Sequence, residues 1–260
     1  MKDTSFKISY SRMNSYLFCP NKYKIIYVDC KYIPLNGDMA FGNSIHKTLD
    51  HFYKHGVYSY DALMDSLNVS WESGGFDNAQ EVYSYYIRAL EVLKNFWETF
   101  GKHIPKKIST EHNFSATIGK YPFIGIIDRI DEYKDGTKEL VDYKTHKNIW
   151  PQERVDNDLQ LSLYCYACKI ALGFIPDRIA IYFLSHNKKI YTTRTEEQIQ
   201  KAIELCMDVA DKINNNDFTP NTKNCQWCDF KETCRYNSQR TKEPDEFKVT
   251  IADRISDNNL

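Results

Sequence analysis

Two aspartates and a lysine, Asp128, Asp142 and Lys144, lie in one stretch of this chain, Ile124 to Lys147 (IGIIDRIDEYKDGTKELVDYKTHK). The stretch reads as a β-hairpin. Two β-rich runs flank Lys134-Asp135-Gly136, and glycine supplies the positive φ that such turns need. With those three residues as the loop, Tyr133 faces Thr137, and counting outward along both strands brings Asp128 opposite Asp142. Directly opposed residues have Cβ atoms roughly 4.5–5.5 Å apart, and like charges that close destabilise a sheet. A divalent cation between them removes that cost and gains hard oxygen ligands. Lys144 is two residues beyond Asp142 and therefore projects from the same face. Two carboxylates and an amine at one point make a metal-dependent hydrolytic site. The competing reading is a solvated strand face, and a one-residue slip in register would undo the geometry.

A second constellation is Cys225-Gln-Trp-Cys228-Asp-Phe-Lys-Glu-Thr-Cys234. It is loop-like and short of aliphatic residues, so burial does not account for three cysteines. A tetrahedral thiolate site needs a fourth ligand. Cys19 is the best candidate, because Cys19-Pro20 sits in a turn rather than on a helix face; Cys30 is the next. Zinc and a [4Fe–4S] cluster both accept four thiolates, and spacing does not choose between them. Cys165, Cys168 and Cys206 fall among apolar residues at helical spacing and read as small core residues, as does Cys30 beside Tyr23, Ile26 and Tyr27.

The elements that must position these groups follow from periodicity. Ser9 and Ser11 cap a short helix that Cys19-Pro20 ends, and residues 21–33 carry helical spacing. A helix spans about Met39 to Tyr53, with Ile45, Leu49 and Phe52 on one face and His46 beside it; alone, such a histidine is a packed or solvated residue. Two more helices cover 59–72 and 78–100, separated by Ser73-Gly74-Gly75. Lys106 to Ile118 reads as a strand on which Glu111 could approach the site or face water; the alternation favours water. After the hairpin, 148–157 reads as a loop and Asp158 to Leu172 as a helix with Gln160 and Tyr164 on one face. Two strands, RIAIYFLS and KIYTTR, and a helix from about Thr195 to Asn214 complete the order, and 239–260 is a polar tail.

The chain has 260 residues and net charge −1, long enough for a sizeable core and without a global basic field, although a local basic groove remains open to it. No apolar run reaches the roughly 18 residues of a membrane span, and the N-terminus lacks a signal-peptide core. The expectation is a cytoplasmic protein whose eight cysteines stay reduced. There is no G-x-x-x-x-G-K-[ST] phosphate loop.

Together, Cys19-Pro20, the histidine of FGNSIH, Asp128 in GIIDRID, Asp142 and Lys144 in VDYKT, Gln160 and Tyr164 in QLSLY, and Cys225, Cys228 and Cys234 resemble the RecB-type nucleases of the PD-(D/E)XK superfamily. The likeness is to the iron–sulfur subgroup, which includes the nuclease domain of AddB and the CRISPR-adaptation exonucleases. It spans residues 19 to 234, with Ile127 standing where the superfamily's name has proline. It implies a mixed α/β sheet flanked by helices, in one nuclease domain over 1–238 with a helical insertion at about 56–104. It also implies a cluster segment, 217–238, closing onto Cys19. Mg²⁺ or Mn²⁺ is then held by His46, Asp128, Asp142 and the backbone carbonyl of Tyr143. Lys144 is the catalytic lysine, and Gln160 and Tyr164 shape the site and engage DNA. A [4Fe–4S] cluster on Cys19, Cys225, Cys228 and Cys234 is favoured over zinc. The implied activity is a DNA exonuclease, working on single strands or single-stranded ends in replication, recombination or repair. The alternatives are a nuclease that processes CRISPR spacer precursors and a non-catalytic, zinc-stabilised nucleic-acid-binding module.

Overall fold

The computed structural model describes residues 6–101 and 103–239. The polar tail expected from 239 onward lies outside the described residues except for its first position. The chain forms two compact units. Among the described residues, one is built from 6–34, 117–123 and 203–239, the other from 35–101, 103–116 and 124–202.

The larger unit holds the sheet. Its strands are β1 (Lys107–Ile118), β2 (Tyr121–Glu132), β3 (Lys138–Lys144), β4 (Arg178–Phe183) and β5 (Lys188–Thr192), in the spatial order β1-β2-β3-β4-β5. The tip of the β1–β2 hairpin, residues 117–123, belongs to the smaller unit. β3 pairs antiparallel with β2 and parallel with β4, so the sheet is mixed. The β2–β3 turn closes with Tyr133 N–H donating to the Thr137 carbonyl at 2.9 Å, and Gly136 takes φ +91°. Arg129 pairs with Val141, where the paired ladder ends; one more residue in that register leads to Asp128 on β2 and Asp142 on β3. The turn is local and its φ requirement is strict, which is why the pairing is readable from sequence.

Alternate residues of the central strands point to opposite faces. Val141, Tyr143, Ala180 and Tyr182 pack with Phe41, Ile45, Leu49, Phe52, Leu63, Leu93 and Phe96. Those belong to α3 (Gly37–His55), α4 (Tyr60–Ser70) and α5 (Ala79–Phe96). Each helix starts at a side chain that accepts a backbone N–H: Asn36, Ser59 and Asn78. α6 (Gln152–Asp156) and α7 (Leu159–Ala167) follow β3, and α7 passes into a π-helical turn at Cys168–Leu172. The loop expected over 148–157 thus contains one turn of helix, tied by Arg194 donating to the carbonyls of Val155 and Asp158. That arginine lies far along the chain, so nothing local announces the turn.

The smaller unit contains α1 (Tyr10–Phe18), capped by Ser9, the short α2 (Pro20–Tyr23), a π-helical turn at Lys24–Val28, and most of α8 (Glu196–Asn214). Cys30 departs from expectation. It follows the π-helical turn, is exposed, and takes φ +53°, so it lies on no apolar helix face. Cys165, Cys168 and Cys206 are fully buried. No helix among the described residues is long and apolar enough to cross a membrane.

Candidate active site and thiol cavity

The carboxylate site is assembled from α3, β1, β2 and β3. His46 projects from α3, its Nδ1 3.6 Å from Asp128 Oδ1 and 3.9 Å from Glu111 Oε1. Among the described residues, His46, Glu111 and Asp128 form the one group of three whose potential ligand atoms all lie within 4.8 Å of each other. They border an open cleft with Met39, Asn43 and Thr145. Gly42 sits one helical turn before His46, and a Cβ there would meet Thr145 Oγ1 at 3.2 Å. The glycine of FGNSIH thus lets α3 lie close against the end of β3.

Glu111 is the residue that the sequence reading misplaced. The alternation along β1 breaks at this position, where the backbone turns to φ +43°, a conformation costly for a side chain with a Cβ. Thr110, just before it, donates to Asp50 Oδ1 at 2.6 Å. Asp50 is one turn of α3 beyond His46, so the tether fixes the distorted strand against the helix that carries the histidine. The polar run Ser-Thr-Glu-His-Asn is the only trace in the sequence, and it does not say which way Glu111 faces.

Asp142 is turned toward the lysine. Lys144 Nζ lies 2.8 Å from Asp142 Oδ2 and donates to Gln160 Oε1 at 3.2 Å. Gln160 stands in the first turn of α7, which begins at Asp158, whose side chain accepts the Leu161 N–H. Tyr164, one turn on, is buried edge-on against Phe114 of β1 at 5.6 Å. The structure therefore divides the sequence-chosen residues into two adjoining sets, His46 with Asp128 and Asp142 with Lys144 and Gln160, with Tyr164 packed behind the latter.

Electrostatics join the sets. Burial, reinforced by the charge of Asp142, pushes the Asp128 carboxyl up to about 7, although Tyr143 N–H donates to its Oδ2 at 2.7 Å. For Lys144, burial works against the charged form, but Asp142 outweighs it and the amine's pKa rises. For His46, burial again opposes the charge, while Glu111, Asp128 and Asp142 together raise its pKa. The pocket is rich in negative charge, which a cation would neutralise.

Behind the carboxylates the frame is rigid. Arg129, next to Asp128 and buried, donates to Asp131 Oδ1 at 2.7 Å, to the Tyr143 hydroxyl at 3.3 Å and to the Tyr53 hydroxyl of α3. Glu139 of β3, fully buried, is met by Lys189 at 2.7 Å and by Arg178 at 2.8 Å. A buried charge without these partners would cost several kcal/mol.

In the smaller unit, Cys19, Cys225, Cys228 and Cys234 line one cavity with Asn21, Lys22 and Asn221. Asn221 N–H donates to Cys19 Sγ at 3.3 Å, and Asn21 Nδ2 to Cys234 Sγ at 3.6 Å. Burial raises the thiol pKa of both Cys225 and Cys228; the Cys234 and Cys19 sulfurs add to it at Cys225, while at Cys228 a backbone hydrogen bond and Lys22 work against it. Cys30 does not line the cavity.

The mixed sheet flanked by helices is a restriction-endonuclease-like α/β core. A profile of the PD-(D/E)XK nuclease superfamily matches residues 7–235, and the chain belongs to that superfamily. Among solved structures, a "putative exonuclease" from Eubacterium rectale superposes with a TM-score of 0.57 at 14% identity, covering 95% of this chain and 92% of that one. That likeness concerns the fold. SSO0001 (11% identity, 86% of this chain and 92% of that chain, TM-score 0.37) is too distant to carry an argument. So is VC1899 of Vibrio cholerae (11%, 81% and 57%, TM-score 0.24). Among curated proteins none matches the chain.

Proposed function

We propose that this nuclease is a divalent-metal-dependent DNA exonuclease of the RecB type, acting on single strands or single-stranded ends. The observation that carries the reading is the convergence of His46, Glu111 and Asp128 beside the Asp142–Lys144 pair. The donor set suits Mg²⁺ or Mn²⁺. Its carboxylates are hard oxygen ligands, and the one imidazole favours Mn²⁺. His46, Asp128, Asp142 and the Tyr143 carbonyl would hold the ion, with Glu111 as a further ligand or as acceptor for a bound water. When bound, the ion polarises the phosphodiester and acidifies a water.

The side chains supply the rest. Without metal, Asp142 more than offsets the burial of Lys144 and raises the amine's pKa. The lysine's part is to orient or help deprotonate the attacking water and to neutralise charge that builds on the phosphoryl oxygens. Gln160 accepts from the amine and holds it in place. Tyr164, packed on Phe114, shapes the wall and keeps α7 at its distance from β1.

The cavity lined by Cys19, Cys225, Cys228 and Cys234 supports the iron–sulfur reading. Four thiols around one cavity are the ligand set that a [4Fe–4S] cluster takes, and zinc accepts the same set. The cluster's role would be structural, tying α1 to the C-terminal segment within the smaller unit.

The test is degradation of end-labelled single- and double-stranded DNA with Mg²⁺, Mn²⁺ or EDTA. Release of nucleotides from an end of the single strand, only with metal, is the expected result. Internal cleavage first would remove the exonuclease assignment, and cleavage in EDTA would remove the metal.

A further inference from the structure

Immediately after Lys144 the chain crosses from β3 to α6 through residues 145–151. This connection has little regular structure, yet it is fixed at several points. The Thr145 carbonyl accepts from Arg88 Nη2 at 3.0 Å and from Ser185 Oγ at 2.7 Å, and the Lys147 carbonyl lies 2.6 Å from His186 Nε2. On it stand two near-parallel rings. His146 and Trp150 have centroids 5.3 Å apart and planes 25° apart, an offset stack. Phe183 closes edge-on against both, at 5.6 Å and 5.8 Å. The Arg154 guanidinium sits 3.7 Å from the Trp150 ring centre, and Lys144 Nζ is 5.9 Å from it.

Core packing would account for Trp150 and Phe183, which are partly and fully buried. It does not account for His146, which is exposed. The imidazole is a flat ring on an exposed residue, stacked on Trp150 with Phe183 packed edge-on against both. It stands two residues from the lysine of the candidate active site.

We propose that His146, backed by Trp150 and Arg154, is a stacking platform for one unpaired nucleobase of the DNA strand beside the bond that is cut. The proposal rests on the nuclease reading above and names the feature of the substrate that the site prefers. Stacking on an aromatic face tolerates any base, because every base has a π-face. It requires a base whose own face is uncovered, which a base inside a duplex is not. Lys144 and Arg154 place positive charge beside the Trp150 ring, where the adjoining phosphates would run. The platform therefore selects frayed ends and single strands without reading sequence.

The experiment uses the whole protein and end-labelled single strands in which one abasic nucleotide is moved stepwise past the scissile bond. For the unaltered protein, an abasic nucleotide at one position should lower kcat/KM about tenfold, the scale of one lost stacking contact. His146→Ala should lower kcat/KM on the intact strand by a similar factor and make that abasic position neutral, and His146→Phe should restore both. A parallel measurement needs no cleavage: anisotropy of the same labelled strands with the Lys144→Ala variant in EDTA, with and without His146→Ala. If binding shows the abasic penalty but nothing is cut by the unaltered protein, the nuclease reading fails and the platform stands. If DNA is cut with no positional abasic penalty, or His146→Ala slows intact and abasic strands equally, the platform is overturned and the nuclease reading stands.

Discussion

The two regions of this chain proposed to hold ligands are built in opposite ways. At the carboxylate site the side chains are held by protein alone. Asp128 accepts the Tyr143 N–H, Thr110 is tied to Asp50, and Arg129 links β2 to α3 and β3 through buried hydroxyls. At the thiol cavity the surroundings are turns, a 3₁₀ segment at Thr222–Trp227 and few aliphatic side chains. A hard cation that exchanges with solvent is best served by a frame that persists without it. A thiolate-bound group can itself be the frame, since its bonds replace the missing core. The difference teaches that removing a ligand should have opposite consequences in the two places: lost activity with an intact fold in one, lost fold stability in the other.

The largest effect that can break this comparison is on catalysis. Asp128→Ala or Asp142→Ala is expected to lower Mg²⁺-dependent DNA cleavage on the order of 10⁴-fold or more, as when a catalytic unit loses a member. Thermal stability of Asp128→Ala in EDTA should hold or rise, because one of two like-charged carboxylates has gone, whereas Asp142→Ala should lower it by leaving the partly buried Lys144 without its partner. Near-normal cleavage by either variant would sink the site. Lys144→Ala should cost about 10²–10⁴-fold in turnover while metal affinity, measured by calorimetry, stays within a few-fold. A fall in affinity as large as the fall in rate would make the lysine a structural prop.

The thiol side of the comparison is read in stability. Replacing Cys19, Cys225, Cys228 or Cys234 with Ser should remove the bound iron and destabilise the chain by about 3 kcal/mol, by analogy with loss of a cross-link. Cys165→Ala or Cys206→Ala should leave iron content unchanged and cost about 1 kcal/mol of packing. Cys30→Ser, at an exposed site, should change neither quantity. Iron retained by the Cys19 variant would detach the N-terminal segment from the cluster.

Two smaller effects sharpen the carboxylate side. Glu111→Gly should relieve the left-handed backbone and raise stability by about 1 kcal/mol while lowering activity. If it lowers both, the strand distortion is not held against strain. The pH dependence follows from Asp128, whose carboxyl rises from 3.8 to about 7 on folding. The folded, metal-free protein keeps a proton there that the unfolded chain has already released. Its stabilising contribution is therefore present at low pH and is lost as pH climbs through that window. The melting temperature in EDTA should fall between about pH 4 and 7 relative to Asp128→Ala, and added Mn²⁺ should abolish the difference at the upper end. Parallel pH curves for the two proteins would show that burial does not hold Asp128 protonated.

What could be read without coordinates was whatever short-range geometry imposes. A glycine in a three-residue turn sets the β2–β3 register, and a period of two then carries Asp128 opposite Asp142 with no further information. Apolar spacing located α3, α5 and α7, and the spacing of Cys225, Cys228 and Cys234 set them apart from cysteines on apolar faces. Partners remote in the chain set the remaining features. Glu111 turns toward His46 because a distorted strand is tied to α3 through Thr110 and Asp50. Cys30 is exposed because the helix before it widens into a π turn and stops. The end of α6 is tied by Arg194, which meets the Val155 carbonyl and that of Asp158 at the start of α7, and His146 is an exposed residue whose ring packs on Trp150 and Phe183. Periodicity constrains each residue against its neighbours in sequence. It carries no information about which distant hydrogen-bonding group or ring will be packed against it, and at this site those distant groups set the direction of the side chains.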